Sequence, residues 1–175
     1  MKKLLFLTIL CAFILSCENK MTDLVIGSTL GNDGESSEIV VGDTSNQQVW
    51  IDYIDAHNKR DLEKIAEINA DNWVGYPPDG NIIRGNEAHI EFLDKWFKST
   101  ANPKWTIKWM IANKGADVEG VMQEFLTTGN DITFIDEEGN EVVENHVHDI
   151  MFENGKIRTI FVYSKPAPSA NAIEE

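Results

Sequence analysis

Histidine is the side chain best suited to proton transfer near neutral pH, because its unperturbed pKa is about 6.5. The chain has four: His57, His89, His146 and His148. His146 and His148 are separated by one residue in a stretch typical of a β-strand, so both should project from one face with Ile150 and Phe152. In a pocket they could act as acid, base or hydrogen-bond donor; the alternative is a surface strand with two solvated histidines.

Two histidines at this spacing could also contribute to a zinc site. The third ligand would have to come from a distant segment such as His89 or Asp71, because the sequence has no further ligand at a suitable spacing. We expect neither a metal ion nor another cofactor.

The other two histidines fall in helical patterns. His89 shares a stripe with Phe92 and Trp96, where it could line a pocket or be a partly exposed helix residue. His57 lies in the last turn of a predicted helix, where the helix dipole favours a cation.

Large aromatic side chains are numerous for one small domain. They include Trp73, Trp96, Trp105, Trp109 and Phe125. Some must build the core. Trp105 and Trp109 alternate with polar residues in a strand pattern, so we expect them on one face, where they could contact a ring-shaped ligand or a second subunit.

Hydrophobic periodicity predicts the elements that position these side chains. Three helices are expected: one from Ser45, with a capping box to Gln48, to about Asn58; a short one capped by Asp61; and one capped by Asn86. Strands are predicted at 71–76, 82–83, 105–111, 120–135, 141–152 and 156–165, with a type I′ turn at Asn154-Gly155. The sequence therefore predicts an α+β fold in which three N-terminal helices pack on a mainly antiparallel sheet.

The N-terminus has the pattern of an export signal. Lys2 and Lys3 precede an apolar run over 4–15 that is too short to span a bilayer. The segment ending Ser16-Cys17 looks like a bacterial lipobox, which predicts cleavage after residue 16 and lipid on Cys17; the alternative is an ordinary secretory signal. Because the apolar run is too short to span a bilayer, the lipid on Cys17 is predicted to be what holds the protein to the membrane.

The remaining boundaries follow from composition. Residues 17–43 are rich in Gly, Ser, Asp and Asn and are interpreted as a lipidated flexible tether, although two apolar patches at 24–26 and 39–41 could instead pair as a hairpin. One domain is expected over 44–166, followed by a flexible tail at 167–175. The formal net charge of −14 argues against nucleic-acid binding, because such a chain repels phosphate backbones.

Several short segments, weak alone but specific in order, resemble a known family. They are Tyr53-Ile54-Asp55, Asp61-Leu62-Glu63, Asp71-Asn72-Trp73-Val74, Pro78-Asp79-Gly80, Arg84-Gly85-Asn86-Glu87-Ala88, and Phe152-Glu153-Asn154-Gly155-Lys156-Ile157 running into Tyr163. Their order and spacing are similar to the SnoaL-like and ketosteroid-isomerase-like branch of the nuclear-transport-factor-2-like superfamily. The resemblance implies a cone-shaped fold whose curved sheet wraps around one pocket, and a homodimer formed through that sheet.

The resemblance also suggests functional residues. Tyr53 falls where the isomerases have their oxyanion tyrosine, and His148 where they have a protonated acid. These two are the expected catalytic residues, together with Asp71 as a partner of His148; Asp55 is the alternative partner. The position of the family's catalytic base falls on Tyr76 or Pro77, and neither is a carboxylate. The expected ligand-binding residues are Trp73, Tyr76, His89, Trp96, Trp109 and His146.

Three functions remain open at this point. The first is a lipoprotein of the bacterial envelope, expected at the outer membrane, whose pocket binds a small apolar or ring-shaped ligand without a reaction. The second is an acid–base enzyme of isomerase, dehydratase or cyclase type that uses His148 and Tyr53. The third is a dimeric scaffold. Loss of the family's carboxylate favours the binding module.

Overall fold

Three helices lie against one eight-stranded sheet in the computed structural model, which describes residues 24–32, 34–99 and 101–167. The helices are α1 (Ser45–Lys59), α2 (Leu62–Ile68) and α3 (Asn86–Phe97). The predicted signal peptide and Cys17 lie outside the described residues, as does nearly all of the predicted tail. None of the described helices is long and apolar enough to span a membrane.

The strands form a single mixed sheet. They are β1 (Val25–Leu30), β2 (Ser36–Val41), β3 (Asn69–Tyr76), β4 (Ile83–Arg84), β5 (Lys104–Ala116), β6 (Met122–Ile135), β7 (Glu141–Glu153) and β8 (Lys156–Pro166). Their order is β1-β2-β5-β6-β7-β8-β3-β4, and each neighbouring pair is antiparallel except β3 and β8, which are parallel. Asn154 and Gly155 both have positive φ, at 52° and 74°, as the predicted type I′ turn requires.

The expected grouping of all three helices ahead of the sheet is wrong in part. β1 and β2 precede α1, and β3 with β4 separates α2 from α3. The α+β class holds, because the helices still cover one part of the sheet and the long strands follow them in the chain.

Two of the predicted helix caps are also wrong. At the start of α1, Thr44 is the N-cap and makes no side-chain capping bond, while the backbone N–H of Ser45 donates to Asp43 Oδ1 at 2.8 Å. At α3 the N-cap is Gly85, and Asn86 uses its side chain elsewhere. The predicted cap of α2 is present, since Asp61 accepts from the backbone N–H of Lys64 at 3.0 Å.

The flexible tether predicted for 17–43 is wrong over its described residues, 24–32 and 34–43, where the alternative hairpin is present. β1 and β2 pair antiparallel, and β2 pairs with β5 through Val40 and Val41. Val40 is buried, with 7% of its surface exposed. The hairpin covers part of the edge of β5 that would otherwise leave its backbone groups unpaired.

Two irregular positions in the sheet decide which side chains face inward. In β5 the pairing with β6 shifts between Ile107 and Trp109, so Trp105 is buried whereas Trp109 is 44% exposed. In β3 the pairing with β8 shifts between Asn69 and Val74. An extra residue in one strand sends the side chains beyond it to the opposite face, because side-chain direction alternates along a strand.

Candidate functional site

A cavity of about 310 Å³ lies between α1, α3 and the inner face of the sheet. Its wall is mostly apolar and rich in rings, including Trp50, Trp73, Trp96 and Trp105. Wall residues come from α1 and α3, from β3, β4 and the turn between them, and from β5 to β8. Such a concave, apolar space with few polar groups is the usual form of a small-molecule site.

All four histidines of the chain line this cavity. They belong to a continuous belt of seven rings: His146, His148, Trp50, Tyr53, His57, His89 and Trp73. Successive ring centres lie between 3.9 Å, for His89 and Trp73, and 6.1 Å, for His57 and His89. Many of the polar atoms of the site are therefore carried on the rings that form its wall, beside the carboxylates of Asp79 and Glu144.

The protonation of His148 is set by Asn130. The indole nitrogen of Trp50, which can only donate, lies 3.4 Å from Asn130 Oδ1. That contact turns Asn130 Nδ2 toward His148 Nδ1, at 2.9 Å, so Nδ1 accepts and the neutral ring carries its proton on Nε2. Burial, aided by the charges of His146 and His57, lowers the pKa of His148 to about 3. His148 is thus a neutral hydrogen-bond donor to the cavity.

A second chain of amides sets His89. Asn86 Nδ2 donates to the carbonyl oxygen of Ala66 at 2.9 Å, which leaves Asn86 Oδ1 to accept from Asn69 Nδ2 at 2.9 Å. The same Asn69 nitrogen lies 3.0 Å from His89 Nδ1, so Nδ1 accepts and Nε2 carries the proton. Burial, then the charge of His57, holds the pKa of His89 well below its usual range.

His57 is bonded in the opposite sense. Its Nδ1 lies 2.8 Å from the carbonyl oxygen of Tyr53, which can only accept, so the proton is on Nδ1 and Nε2 is free to accept. Burial lowers the pKa of His57 to about 4. The interpretation of His57 as a cation at the helix C-terminus is therefore wrong, because desolvation of this buried ring outweighs the dipole.

His146 pairs with Glu144. Its Nε2 lies 3.1 Å from Glu144 Oε2, and a carboxylate only accepts, so Nε2 carries a proton. In the neutral ring, Nδ1 then has a free lone pair. Glu144 side-chain exposure is 28%, which places the carboxylate at the rim of the cavity wall.

Three residues of the cavity wall each carry a buried polar atom that has no hydrogen-bond partner among the described residues. The atoms are Tyr53 Oη, Trp73 Nε1 and His146 Nδ1. Burial raises the pKa of the Tyr53 phenol well above its usual range. The Asn69 side chain lies near enough to offset part of this rise without meeting the geometry of a hydrogen bond, so the phenol stays protonated. A buried unpaired group costs about 1–3 kcal/mol, which a ligand could recover by bonding to it.

Most residues expected at the site are brought together. Those in the cavity wall are Tyr53, Trp73, Tyr76, His89, Trp96, His146 and His148. Two expectations are wrong. Asp71 is exposed and lines a shallow outer groove instead, and Trp109 lies on the outer face of the sheet. The error at Trp109 follows from the irregular position in β5, whereas Asp71, expected from the resemblance, lies in the irregular part of β3.

Sequence reasoning missed several site residues. Glu144 was detectable, since it shares the even-numbered face of β7 with His146 and His148. His57 was detectable from its spacing with Trp50 and Tyr53, which places it on the buried stripe of α1. The roles of Asn130, Asn69 and Asn86, by contrast, depend on contacts between distant segments.

The wall near the predicted base position has no free carboxylate. Tyr76 and Pro77 both line the cavity, as expected, and so does Asp79. However, the two oxygens of Asp79 accept from the backbone N–H and the side-chain amide of Asn81, at 2.9 and 2.7 Å. Across residues 24–32, 34–99 and 101–167, no three His, Cys, Asp or Glu side chains are grouped to hold a metal ion.

Comparison with known proteins gives the same fold. A family model described as a SnoaL-like domain matches residues 50–160. An LEH-like epoxide hydrolase from M. tuberculosis is 17% identical, with 70% of this chain and 84% of that chain covered and a TM-score of 0.54. An uncharacterized cystatin-fold protein from Novosphingobium aromaticivorans is 16% identical, with 67% and 97% covered and a TM-score of 0.54.

TerC, co-crystallised with polyporic acid, is 13% identical, with 70% of this chain and 92% of that chain covered and a TM-score of 0.56. At such identities the likeness concerns the fold. Among curated proteins, none matches this chain.

Proposed function

The chain belongs to the SnoaL-like domain family, and on that premise we propose that it binds a small apolar, ring-shaped ligand in the cavity. The observation that carries the proposal is the combination of ring-lined apolar walls with three buried polar atoms that lack partners. Apolar rings favour a flat apolar ligand, and polar atoms without partners favour one that bonds to them.

The polar atoms also suggest the chemistry of the ligand. Trp73 Nε1 can only donate, the Tyr53 phenol stays protonated, and His148 and His89 present N–H groups. Donors therefore predominate, so the ligand is expected to carry an acceptor oxygen, such as a ring carbonyl. The co-crystal of TerC with polyporic acid, on a similar fold, supports small-molecule binding.

Native mass spectrometry of the whole protein, extracted in detergent from its own host, tests the proposal. We expect a small molecule to be retained, and its occupancy to fall in Tyr53→Phe. Tyr163→Phe is the matched control, because that tyrosine is 57% exposed and lies outside the cavity. Equal occupancy in both variants, or a cavity that is empty in the native protein, would count against ligand binding at this site.

An acid–base enzyme is the second candidate. It is favoured by the placement of His148 and Tyr53 on one cavity wall, joined through Trp50, whose ring centre lies 5.1 Å from His148 and 5.4 Å from Tyr53. Both would donate to a developing oxyanion rather than remove a proton. Turnover of a cyclic ketone, measured in the wild type and in His148→Gln, tests this candidate.

We further propose that the protein is a lipoprotein of the bacterial envelope, anchored through Cys17 and expected at the outer membrane. The basic start, the apolar run over 4–15 and the Ser16-Cys17 pair support this location. Labelling with an alkyne fatty acid should be lost in Cys17→Ser and kept in Cys11→Ser. Labelling of both variants would exclude Cys17 as the anchor.

A homodimer through the outer face of the sheet completes the proposal, with the scaffold function as the alternative if the cavity proves empty. Trp109, Val147 and Tyr163 are exposed there by 44%, 36% and 57%. They lie in one row across the strands, since Gly129 pairs with both Trp109 and Val147, and Val147 pairs with Tyr163. Light scattering should report a dimer, and Val147→Lys should yield a monomer.

A further inference from the structure

Glu144 is a partly buried carboxylate of the cavity wall that lacks a lysine or arginine partner. Its side chain is 28% exposed, and its Oε2 lies 3.1 Å from His146 Nε2. Two other carboxylates of similar exposure, Asp131 at 27% and Glu124 at 31%, each pair with a lysine, at 2.9 and 3.5 Å. None of the described lysines or arginines forms such a pair with Glu144. A partly desolvated carboxylate of this kind favours a cation from outside the chain.

The strands beside Glu144 supply apolar neighbours and an aromatic ring. Glu144 is paired with Ile132 on β6 and with Pro166 on β8, and neither residue carries a charge. Phe134 follows Ile132 by two residues, so it lies on the same face of β6 as Ile132, and both line the cavity. A cation beside Glu144 would therefore lie close to an aromatic side chain, and the faces of aromatic rings attract cations.

The other ionisable groups of the wall do not oppose a cation. Among the described residues that line the cavity, none is a lysine or an arginine, and burial keeps His57, His89 and His148 neutral. Asp79, in the turn after β3, is a second carboxylate of the wall. Because β3 runs parallel to β8 and Glu144 pairs near the end of β8, both carboxylates lie toward the same end of the sheet. That end of the cavity, its mouth, is negative, and the formal net charge of −14 has the same sign.

We infer that the ligand of this cavity is an organic cation, whose rings occupy the apolar interior and whose protonated amine lies at the mouth beside the Glu144 carboxylate. The inference rests on the proposed function, since it needs a ligand in the cavity, and it adds a charge to that ligand. An ammonium group only donates hydrogen bonds and a carboxylate only accepts them, so the two groups match. At the partly exposed mouth the amine keeps part of its hydration, which avoids most of the cost of burying an ion.

Burial of the wall residues also gives the ligand a direction. Tyr53 and Trp73, which carry neutral donors, are only 2% and 3% exposed, whereas Glu144 is partly exposed and Asp79 is exposed. The ionised groups of the wall thus lie nearer to solvent than its neutral donors. A ligand with its acceptor oxygen directed inward and its amine directed outward matches both sets of groups. An anionic ligand would place like charges together at the mouth, which disfavours its binding.

Three probes that share one bicyclic frame test the charge of the ligand. They are 2-aminotetralin, which is a cation at neutral pH, the neutral alcohol 2-tetralol, and the anion tetralin-2-carboxylate. Isothermal titration calorimetry of the whole protein in a non-ionic detergent measures each affinity, with the detergent alone as the blank. We expect the amine to bind about 10-fold more tightly than the alcohol and the anion about 10-fold more weakly, because a partly exposed carboxylate and an aromatic ring each add a modest attraction for a cation.

Glu144→Gln locates the group that selects the amine. The variant should lose most of the preference for the amine over the alcohol, while its affinity for the alcohol, which also reports that the cavity is intact, stays within about 3-fold of the wild type. Glu141→Gln is the matched control, because it removes the same charge at an exposed site on the same strand, and it should keep the preference. An equal loss in both variants would show that net charge rather than the mouth selects the amine, which overturns the inference.

Salt gives a second measurement that needs no variant. Raising the NaCl concentration from about 0.02 M to about 0.5 M should reduce the preference of the wild type for the amine and leave the affinity for the alcohol nearly unchanged, because salt screens charges at an exposed mouth. A preference that does not respond to salt would contradict an ionic contact at this position.

The outcomes separate this inference from the proposed function. Equal affinity for the three probes, or a preference that survives in Glu144→Gln, overturns the inference and leaves ligand binding standing. The molecule retained in the native mass spectrum should have an exact mass that requires nitrogen. A retained molecule without nitrogen rejects the cation but supports the binding function. Absence of binding by all three probes also rejects the inference, and the native mass spectrum then decides the binding function alone.

Discussion

The Nδ2 atom of Asn130 lies 2.9 Å from the Nδ1 atom of His148, and this contact fixes which ring nitrogen carries the proton. Asn130 is itself oriented by the indole N–H of Trp50. An amide on β6 thus sets the chemistry of a histidine on β7, through a contact that a helix holds in place.

Asn130→Asp should reverse this arrangement. A carboxylate accepts from His148 Nδ1 and favours the imidazolium, so the pKa of His148 should rise from about 3 by at least one unit and its proton should move to Nδ1 when neutral. Titration followed by proton–nitrogen NMR measures both effects. Asn72→Asp, the same change at an exposed position on β3, should leave His148 unchanged, and an equal response to both variants would contradict the local explanation.

The stability of the fold should decrease as the pH falls below about 6.5. His57, His89 and His148 have pKa values lowered by burial, so over this range the unfolded chain binds more protons than the folded one. Above the histidine pKa of the unfolded chain, about 6.5, these rings cause no loss of stability. Below it, the loss grows until the pH reaches the pKa of the folded state, about 4 for His57 and about 3 for His148. Each histidine contributes a slope of up to about 1.4 kcal/mol per pH unit.

Chemical denaturation between pH 7.5 and 5 measures this slope before most carboxylates titrate. The carboxylates with lowered pKa, such as Asp131 and Asp136, act at lower pH, because an unfolded aspartate titrates at about 3.9. His57→Gln should reduce the slope by the equivalent of one proton, whatever it does to stability at pH 7.5. A free energy of unfolding that stays constant from pH 7 to 5 would show that these rings are not buried and neutral.

Tyr53→Phe should leave stability unchanged or raise it by about 1 kcal/mol. The Tyr53 hydroxyl is buried without a partner among the described residues, so its removal deletes a desolvated polar atom and creates little cavity. Denaturation midpoints of the ligand-free protein measure the effect. A loss of more than about 1 kcal/mol would mean that the hydroxyl makes a stabilising hydrogen bond within the protein. It would then not be an unpaired group available to a ligand.

Period-two alternation predicted the face of β7 that carries His146 and His148, because that strand pairs with β6 without interruption. The same reasoning failed for Trp109. The pairing of β5 shifts before that residue, and a shift of one residue sends a side chain to the other face. Asp71, which was expected from the resemblance, lies in the irregular part of β3 between Asn69 and Val74. Thr128 Oγ1 donates to the carbonyl oxygen of Trp109 at 2.7 Å beside the shift in β5, a contact between strands that local sequence does not encode.

Long-range contacts account for the other differences. The hairpin of β1 and β2 depends on pairing with Asn113 and Lys114 of β5, about 75 residues further along the chain. The neutral state of His57 depends on the rings around it, with Tyr53 centred at 4.3 Å and Trp105 at 5.4 Å. Composition suggested a flexible tether, but strand pairing made this segment a hairpin. The helix dipole suggested a cationic His57, but burial of the ring keeps it neutral.

Gly75→Ala should impair ligand binding although it adds only one methyl group. A Cβ at Gly75 would collide with the indole of Trp73, which lines the cavity and stacks on His89 with ring centres 3.9 Å apart. Trp73 would have to move, and the cavity would change shape. Alanine normally stabilises a strand relative to glycine by about 0.5–1 kcal/mol, so the predicted loss of about 1–3 kcal/mol has the opposite sign.

Gly129→Ala is the matched control on the outer face. Its Cβ would collide with the indole of Trp109, which lies outside the cavity, so we expect a similar loss of stability with ligand affinity unchanged. In the background of Trp109→Ala, the loss caused by Gly129→Ala should disappear, because the colliding ring is gone. Calorimetry and ligand titration of this set separate the two faces of the sheet, since only a change that moves Trp73 should weaken binding.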